Sequence, residues 1–342
     1  MRTFVLIATL TGTVISSLVA QPAASAPGGG PPQRKAFQNQ ADYGAAFTEW
    51  SKTQVAPREQ LRPSNSRDEP QSPQEVRRKI AAAVLTVSAV EPKKPRKLLV
   101  IESLAGMYHN PGIPDCDLMV DLMGKITGAW ETELNNDLSN LKYDKIKQYD
   151  AVFVNSAVGE MFPDPAVRDG LSRYLKEGGG LVGIHGTPWA STDWVEFADM
   201  IGAQTAPHRT ENGILKVYDP TSPIMKSFGG KDLPHIEEYY RFNTEGVSSF
   251  RWDKFRVLLT GDMNVPQRTP WTGYKRPDNI YPVTWVGSYG KGRIFYCSLG
   301  HMSQTYQTPE IVGHIFAGIQ FALGDLEVDT TPNPPPTTAA PK

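Results

Sequence analysis

The chain has 342 residues, with 35 Lys+Arg against 36 Asp+Glu and a formal net charge of −1. That balance argues against the basic footprint of a nucleic-acid binder, and the length allows one large domain or two ordinary ones. The two cysteines, Cys116 and Cys297, form no Cys-x-x-Cys pair, which argues against a thiolate metal centre. They read either as a disulfide or as two buried thiols.

Residues 1–26 have the pattern of a secretory signal: Arg2, a mostly apolar run from Phe4 to Ala20, and small residues in "LVAQPAASA". On this reading the protein is periplasmic or secreted, with no integral membrane span once the signal is removed. "APGGGPPQ" is a linker by composition. Residues 27–95 then carry two helix-like patches, "QADYGAAFTEW" and "SPQEVRRKIAAAVLTVSAV", the second started by Ser72 and Pro73. They read as an appended helical segment, with a disordered spacer as the alternative.

From residue 96 to 326 the pattern is that of an α/β domain. Leu98 to Ile101 is a continuous apolar run, as in a strand buried on both faces. Leu118, Met119, Leu122, Met123 and Ile126 fall on one helical face. "AVFVNS" is a second buried strand. "DPAVRDGLSRYLKEGGG" is a helix capped by Asp164, with Pro165 first and glycine at its stop. "LVGI", residues 181–184, is the next strand, and "DWVEFADMIGA" is a helix ending at Gly202. Strands alternating with helices imply parallel pairing with right-handed crossovers. After Gly202 the apolar period becomes two, in "GILKVYD", "EEYYRF", "RVLLTGD" and the hairpin "PVTWVGSYGKGRIFYCSLGH". "PEIVGHIFAGIQFALG" closes the body as an apolar-striped helix. The Pro/Thr-rich residues 327–342 read as a disordered tail.

Ligands of open parallel sheets bind at the carboxyl ends of the strands. Glu102, His109, His185 and His301 all fall on that edge, and His208 could lean over it. His235 reads as a solvated loop residue and His314 as a packing residue. Glu237 and Glu238 are adjacent in a strand, so their side chains point to opposite faces and only one enters a site. His185 occupies a glycine-flanked strand-to-helix turn where many α/β enzymes carry a nucleophile. Histidines with a carboxylate can hold a divalent metal or move protons, and spacing does not separate the two.

The segments "EGGGLVGIHGTPWASTDWVEFADMIGA", "APHRTENG", "IEEYYRF", "VLLTGD" and "PVTWVGSYGKGRIFYCSLGH" resemble the ThuA-like, trehalose-utilisation family from about Lys97 to Leu326. The resemblance implies a class I glutamine amidotransferase-like, flavodoxin-like three-layer α/β fold with a mainly parallel sheet. It implies histidine in place of the amidotransferase cysteine, and hence no glutaminase activity. The family's motif histidines map onto His109, His185, His208 and His301, and its acidic motif onto Glu237, Glu238 and Tyr240. Glu237 stands where Asp is usual, and "DPTSPI" has Thr-Ser where relatives often have a histidine before the proline. The implied role is catabolism of trehalose or a related disaccharide, often through keto-sugars.

These readings give a candidate site. His185, Glu238 and His301 are its catalytic residues. Tyr108, Trp189, His208 and Tyr240 bind a small carbohydrate. His109, His185 and His301 hold a divalent metal, zinc foremost, or the same groups act as acid and base. The reaction would be of hydrolase or lyase/isomerase type. Aromatic residues near the edge, with Trp194, Trp271 and Tyr274 added, suit stacking on a sugar ring or core packing equally. The alternative is a non-catalytic sugar-binding or scaffold domain; a weaker one is a surface interaction protein.

Overall fold

Two helices precede the sheet in the computed structural model, which describes residues 31–54, 72–87, 90–102, 110, 112–242, 250–267, 269–273, 275–276 and 279–335. α1 (Gln40–Ser51) starts at Asn39, whose side chain accepts from the Asp42 N–H. α2 (Pro73–Val84) starts at Ser72, which accepts from the Glu75 N–H, the cap its Ser-Pro sequence suggests. The helices do not stand apart as an arm. α1 buries Tyr43, Phe47 and Trp50, and α2 buries Val76, Ile80 and Val84, in two different core clusters.

Those clusters lie on the two faces of one sheet. Along β1 (Lys97–Glu102), Leu98 and Val100 enter one cluster, and Leu99 and Ile101 enter the other. This is the alternation a strand covered on both faces must show. α2, α3 (Ile113–Thr127) and α7 (Pro309–Leu323) cover the first face. α1, α5 (Pro165–Lys176) and α6 (Val195–Ile201) cover the second. α4 (Tyr143–Ile146) is a single turn packed beside α5.

The sheet has nine strands in the order β2-β1-β3-β4-β9-β8-β7-β5-β6. β2 (Glu131–Leu134), β1, β3 (Ala151–Asn155), β4 (Gly180–Ile184) and β9 (Gly292–Cys297) pair in parallel. β8 (Tyr281–Tyr289), β7 (Phe255–Asp262), β5 (His208–Val217) and β6 (Leu233–Tyr240) continue the sheet through antiparallel pairs. The expected mainly parallel, flavodoxin-like sheet is therefore corrected to a mixed one. The period-2 segments after Gly202 are hairpin strands, and they extend the parallel half instead of forming a separate unit.

α1 docks closely enough to be tested. A Cβ on Gly44 would lie 2.3 Å from the Asp164 Cα and 2.7 Å from the Pro163 carbonyl oxygen. Gly44→Ala should therefore cost about 1–3 kcal/mol as an overpacking change, read as a lower melting temperature. An unchanged melting temperature would mean that α1 does not dock there in solution.

Cys116 and Cys297 are both free and buried, so the thiol reading holds over the disulfide. Beyond α7 the chain stays on the body as far as it is described. The Asn333 side chain donates to the Val257 carbonyl at 3.0 Å and accepts its N–H at 2.7 Å. Residues 1–30 and 336–342, which include the signal-like segment and the end of the Pro/Thr tail, lie outside the described residues. Among the described residues no helix is long and apolar enough to cross a membrane.

Candidate metal centre

β4 ends at Ile184, and the chain turns sharply at His185, which is fully buried with φ at 49°. A non-glycine residue in this left-handed region is strained and persists only where its surroundings hold it. Here they do. The His185 N–H donates to the Cys297 carbonyl at 2.8 Å, and the Tyr296 hydroxyl donates to the His185 carbonyl at 2.7 Å. The ring is fixed as well. Nδ1 lies 3.1 Å from the Ser298 carbonyl oxygen, which can only accept, so Nδ1 carries a hydrogen. In the neutral ring this leaves a lone pair on Nε2.

That Nε2 faces Glu238 Oε2 at 3.2 Å and the Tyr240 hydroxyl at 3.3 Å. Glu238 and Tyr240 come from β6, at the far edge of the sheet. The connection is the β5–β6 hairpin. Residues 214–217 of β5 pair with β7, whereas residues 208–213 pair only with β6. This free half of the hairpin reaches the β4 strand end, and the period of two puts Glu238 and Tyr240 on one side of it.

His301 follows β9 in the loop after Gly300. Its Nδ1 lies 3.5 Å from the same Glu238 Oε2, and its ring centroid is 5.5 Å from that of His185. One ligand atom each from His185, Glu238 and His301 lies within 4.8 Å of the others. Donors bonded at 2.0–2.2 Å to a tetrahedral zinc stand about 3.3–3.6 Å apart, and the two contacts to Oε2, at 3.2 and 3.5 Å, lie close to that spacing. Burial raises the Glu238 carboxyl, but with protons on the rings the bond and charge of His185, and the charges of His301 and His208, outweigh it and hold the pKa below the usual carboxylate value. A positive charge opposite Oε2, whether a shared proton or a cation, thus keeps this carboxylate ionised.

The other expected residues divide. His208 opens β5 and sits edge-on to Tyr240 at 5.0 Å and to Trp189 at 5.4 Å, so these three line one side of the centre. Tyr240 also stacks on the His185 ring at 5.2 Å. Tyr108, His109 and Tyr274 lie outside the described residues. Glu102 is drawn elsewhere: Asn136 donates to its carboxylate at 3.2 Å, and buried Asp117 lies beside it, its carboxyl pushed up by burial and then by the Glu102 charge. Trp194 packs against Phe162 and Phe197 as a core residue. Trp271 lies under the Arg241 guanidinium at 4.3 Å.

His235 departs from expectation. It belongs to β6 and is largely buried against Thr305, and burial alone lowers its pKa to about 4. His314 packs between Phe228 and Phe295, as expected. The Ser298 carbonyl was not foreseen, because every residue supplies a carbonyl and sequence carries no mark of the one that orients a histidine. An open groove of about 720 Å³ lies beside the centre, not at it, and shares Met302 and Gln304 with the His301 loop. Chemistry is better placed at the buried His/Glu cluster, because most polar groups of the groove, such as Arg209, Asn212 and Gln267, already bond to the protein.

The chain matches the ThuA family, described as trehalose utilisation, over residues 97–322. A ThuA-like protein from Bacteroides uniformis is similar in structure, with a TM-score of 0.53, 17% identity, and coverage of 68% of this chain and 94% of that one. A ThuA-like protein from Parabacteroides merdae follows at TM-score 0.47 and 17% identity, covering 66% and 90%. A comparison with curated proteins finds no match. Two Salmonella typhimurium chains, at TM-scores 0.45 and 0.42 and 13% and 14% identity, are named cytoplasmic proteins; they cover 66% and 64% of this chain and 98% and 96% of their own lengths. Against those names, the periplasmic or secreted location expected from residues 1–26 is not retained. With two thirds of its length matched and a His/Glu/His cluster at the strand ends, this chain belongs to the ThuA, trehalose-utilisation, family.

Proposed function

We propose that the protein is an enzyme acting on a small carbohydrate, trehalose or a related disaccharide or keto-sugar, by hydrolase or lyase/isomerase chemistry at His185, Glu238 and His301. One observation carries the reading. With Nδ1 committed to Ser298, the neutral His185 ring turns a lone pair toward an ionised carboxylate at 3.2 Å. Two acceptors at that distance need a cation or a proton between them. The third group, His301 Nδ1, faces the same oxygen and favours the cation. Nitrogen and oxygen donors at this spacing suit zinc.

A divalent metal held there would polarise a carbonyl or activate a water. The chain's own residues do the rest. The Ser298 carbonyl keeps His185 in the metal-binding tautomer. The Tyr240 hydroxyl is placed to donate to a substrate oxygen. Trp189 and His208 offer ring faces and edges beside it. Glutamine amidotransfer is not part of this function: His185 fills the elbow, and burial raises the thiols of Cys116 and Cys297 far above thiolate range.

The test is metal analysis of the purified protein beside His185→Ala and His301→Ala. About one divalent ion per chain is expected, absent from both folded variants. No metal in any sample, even after Zn²⁺, Mn²⁺ or Ca²⁺ is supplied, would rule out the metal. A second reading would then stand on the same 3.2 Å contact: His185 and Glu238 share a proton and act as acid and base, to be assayed on keto-disaccharides.

A further inference from the structure

We propose that Glu237 is a positioning residue, whose carboxylate ties the backbones of Glu238 and His301 into one rigid half of the centre. Sequence periodicity sends Glu237 to the side of β6 away from Glu238. It does not meet solvent there: its side chain is fully buried beneath the loop that carries His301. Oε1 accepts the N–H groups of Glu238 at 2.7 Å, His301 at 3.1 Å and Met302 at 3.3 Å. Oε2 accepts the Gly300 N–H at 2.9 Å and the Thr305 hydroxyl. A single oxygen thus joins the main chains of two of the three cluster residues. Because Thr305 donates its hydrogen to Glu237, its oxygen takes the His235 Nε2 hydrogen at 2.9 Å, which extends the clamp along β6.

The loop cannot easily find another conformation of the same shape. Gly300 has φ at 145°, and a Cβ there would lie 2.6 Å from the Tyr306 hydroxyl and 3.0 Å from the His185 Cβ. His185 needs none of this, because β4 and Ser298 hold it separately. Glu237 therefore fixes where Glu238 and His301 stand relative to each other, while the third group stays in place without it. Glutamine at 237 keeps one acceptor and turns an NH₂ donor toward main-chain N–H groups, so half of the clamp becomes a clash of donors.

The experiment has two arms; the first rests on the metal reading above and the second on geometry alone. Zn²⁺ is titrated calorimetrically into the metal-free full chain, and the Co²⁺ absorption spectrum is recorded, for wild type, Glu237→Gln, Glu237→Asp and His301→Ala. Partners that orient a ligand are worth about 10–100-fold in affinity. Glu237→Gln should lose that much and shift its Co²⁺ spectrum toward that of His301→Ala. Glu237→Asp, which keeps both oxygens one methylene short, should recover part of the loss, and it carries the test if Glu237→Gln does not fold. Wild-type affinity and spectrum in the folded variants would overturn the proposal. If wild type binds no metal, the metal reading fails by itself and Glu237 is judged by proton NMR of the metal-free protein. Cross-relaxation between the His185 and His301 rings should be present in wild type. Its loss in Glu237→Gln and Glu237→Asp supports the proposal, and its persistence in them overturns it.

Discussion

Glu238→Gln is expected to cost more than ~100-fold in Zn²⁺ affinity, beyond the range of an outer partner, and to abolish activity with it. Oε2 of Glu238 is the atom both imidazoles face, at 3.2 Å and 3.5 Å. The amide keeps the volume but removes the charge, and it aims either a weak oxygen donor or an NH₂ at the lone pairs. The same variant tests the ionic state without metal. Burial raises the Glu238 carboxyl, a proton shared with His185 Nε2 in the metal-free protein chiefly lowers it, and the net shift is downward. A carboxyl whose pKa falls on folding stabilises at pH above its unfolded value, about 4.3, and loses that contribution as pH drops through the lower folded value. The stability gap between wild type and Glu238→Gln should therefore be full near neutrality and close on acidification below about pH 4. Melting curves across that range would decide: a gap independent of pH would mean that packing, not charge, sets it. Zn²⁺ binding to wild type should weaken as pH falls, because the donor atoms must be free of protons to hold the metal.

Sequence reading was strongest where one chain segment decides its own structure. The apolar runs of β1, β3 and β4 are buried strands because nothing polar interrupts them. Asp164 accepts the Ala166 N–H at 2.9 Å and starts α5 as its Asp-Pro sequence suggests. Reading was weakest where a partner decides. Alternation in β5, β6, β7 and β8 marks strands but not their neighbours, so the size of the antiparallel half stayed hidden. β2, with the sequence Glu-Thr-Glu-Leu, is too short and too charged to signal a strand; it exists because β1 offers it an edge.

The site divides in the same way. His185 and His301 were legible because both sit at glycine-flanked strand ends, which converge in any sheet where β4 and β9 are neighbours. Period two separated Glu238 from Glu237 correctly. It could not say that the second face, too, is buried, against the loop that carries His301. His235 was misread for a related cause: its neighbours come from residues near 305, seventy positions later, and no local pattern announces that cover.

Arg96→Ala should be the most damaging change away from the centre, at about 3–5 kcal/mol, the cost of leaving buried ionic partners uncompensated. Arg96 sits just before β1 and is 8% exposed. Its Nε donates to both Asp325 oxygens at 2.9 and 3.1 Å, and Nη1 donates to Asp150 at 3.0 Å. It thereby joins the entry of β1 to the entry of β3 and the exit of α7. The Asp325 side chain is fully buried, so without Arg96 its nearest donor is the Lys93 N–H. At 2–4 °C per kcal/mol for a body of this size, the melting temperature should fall by roughly 6–20 °C. Arg96→Met should not restore it, because the carboxylates remain and the missing partner is a charge. The sign of the pH dependence follows from Asp150. Burial raises its carboxyl, but Lys94, the Lys97 N–H and Arg96 together lower it. Its stabilisation is present above the unfolded value near 3.9 and is lost as pH falls through the lowered one. The deficit of Arg96→Ala should thus be largest near neutral pH and narrow in strong acid, below the lowered value, where a protonated Asp150 no longer needs the guanidinium. A deficit equal at both pH values would instead assign the loss to the packing of the arginine stem.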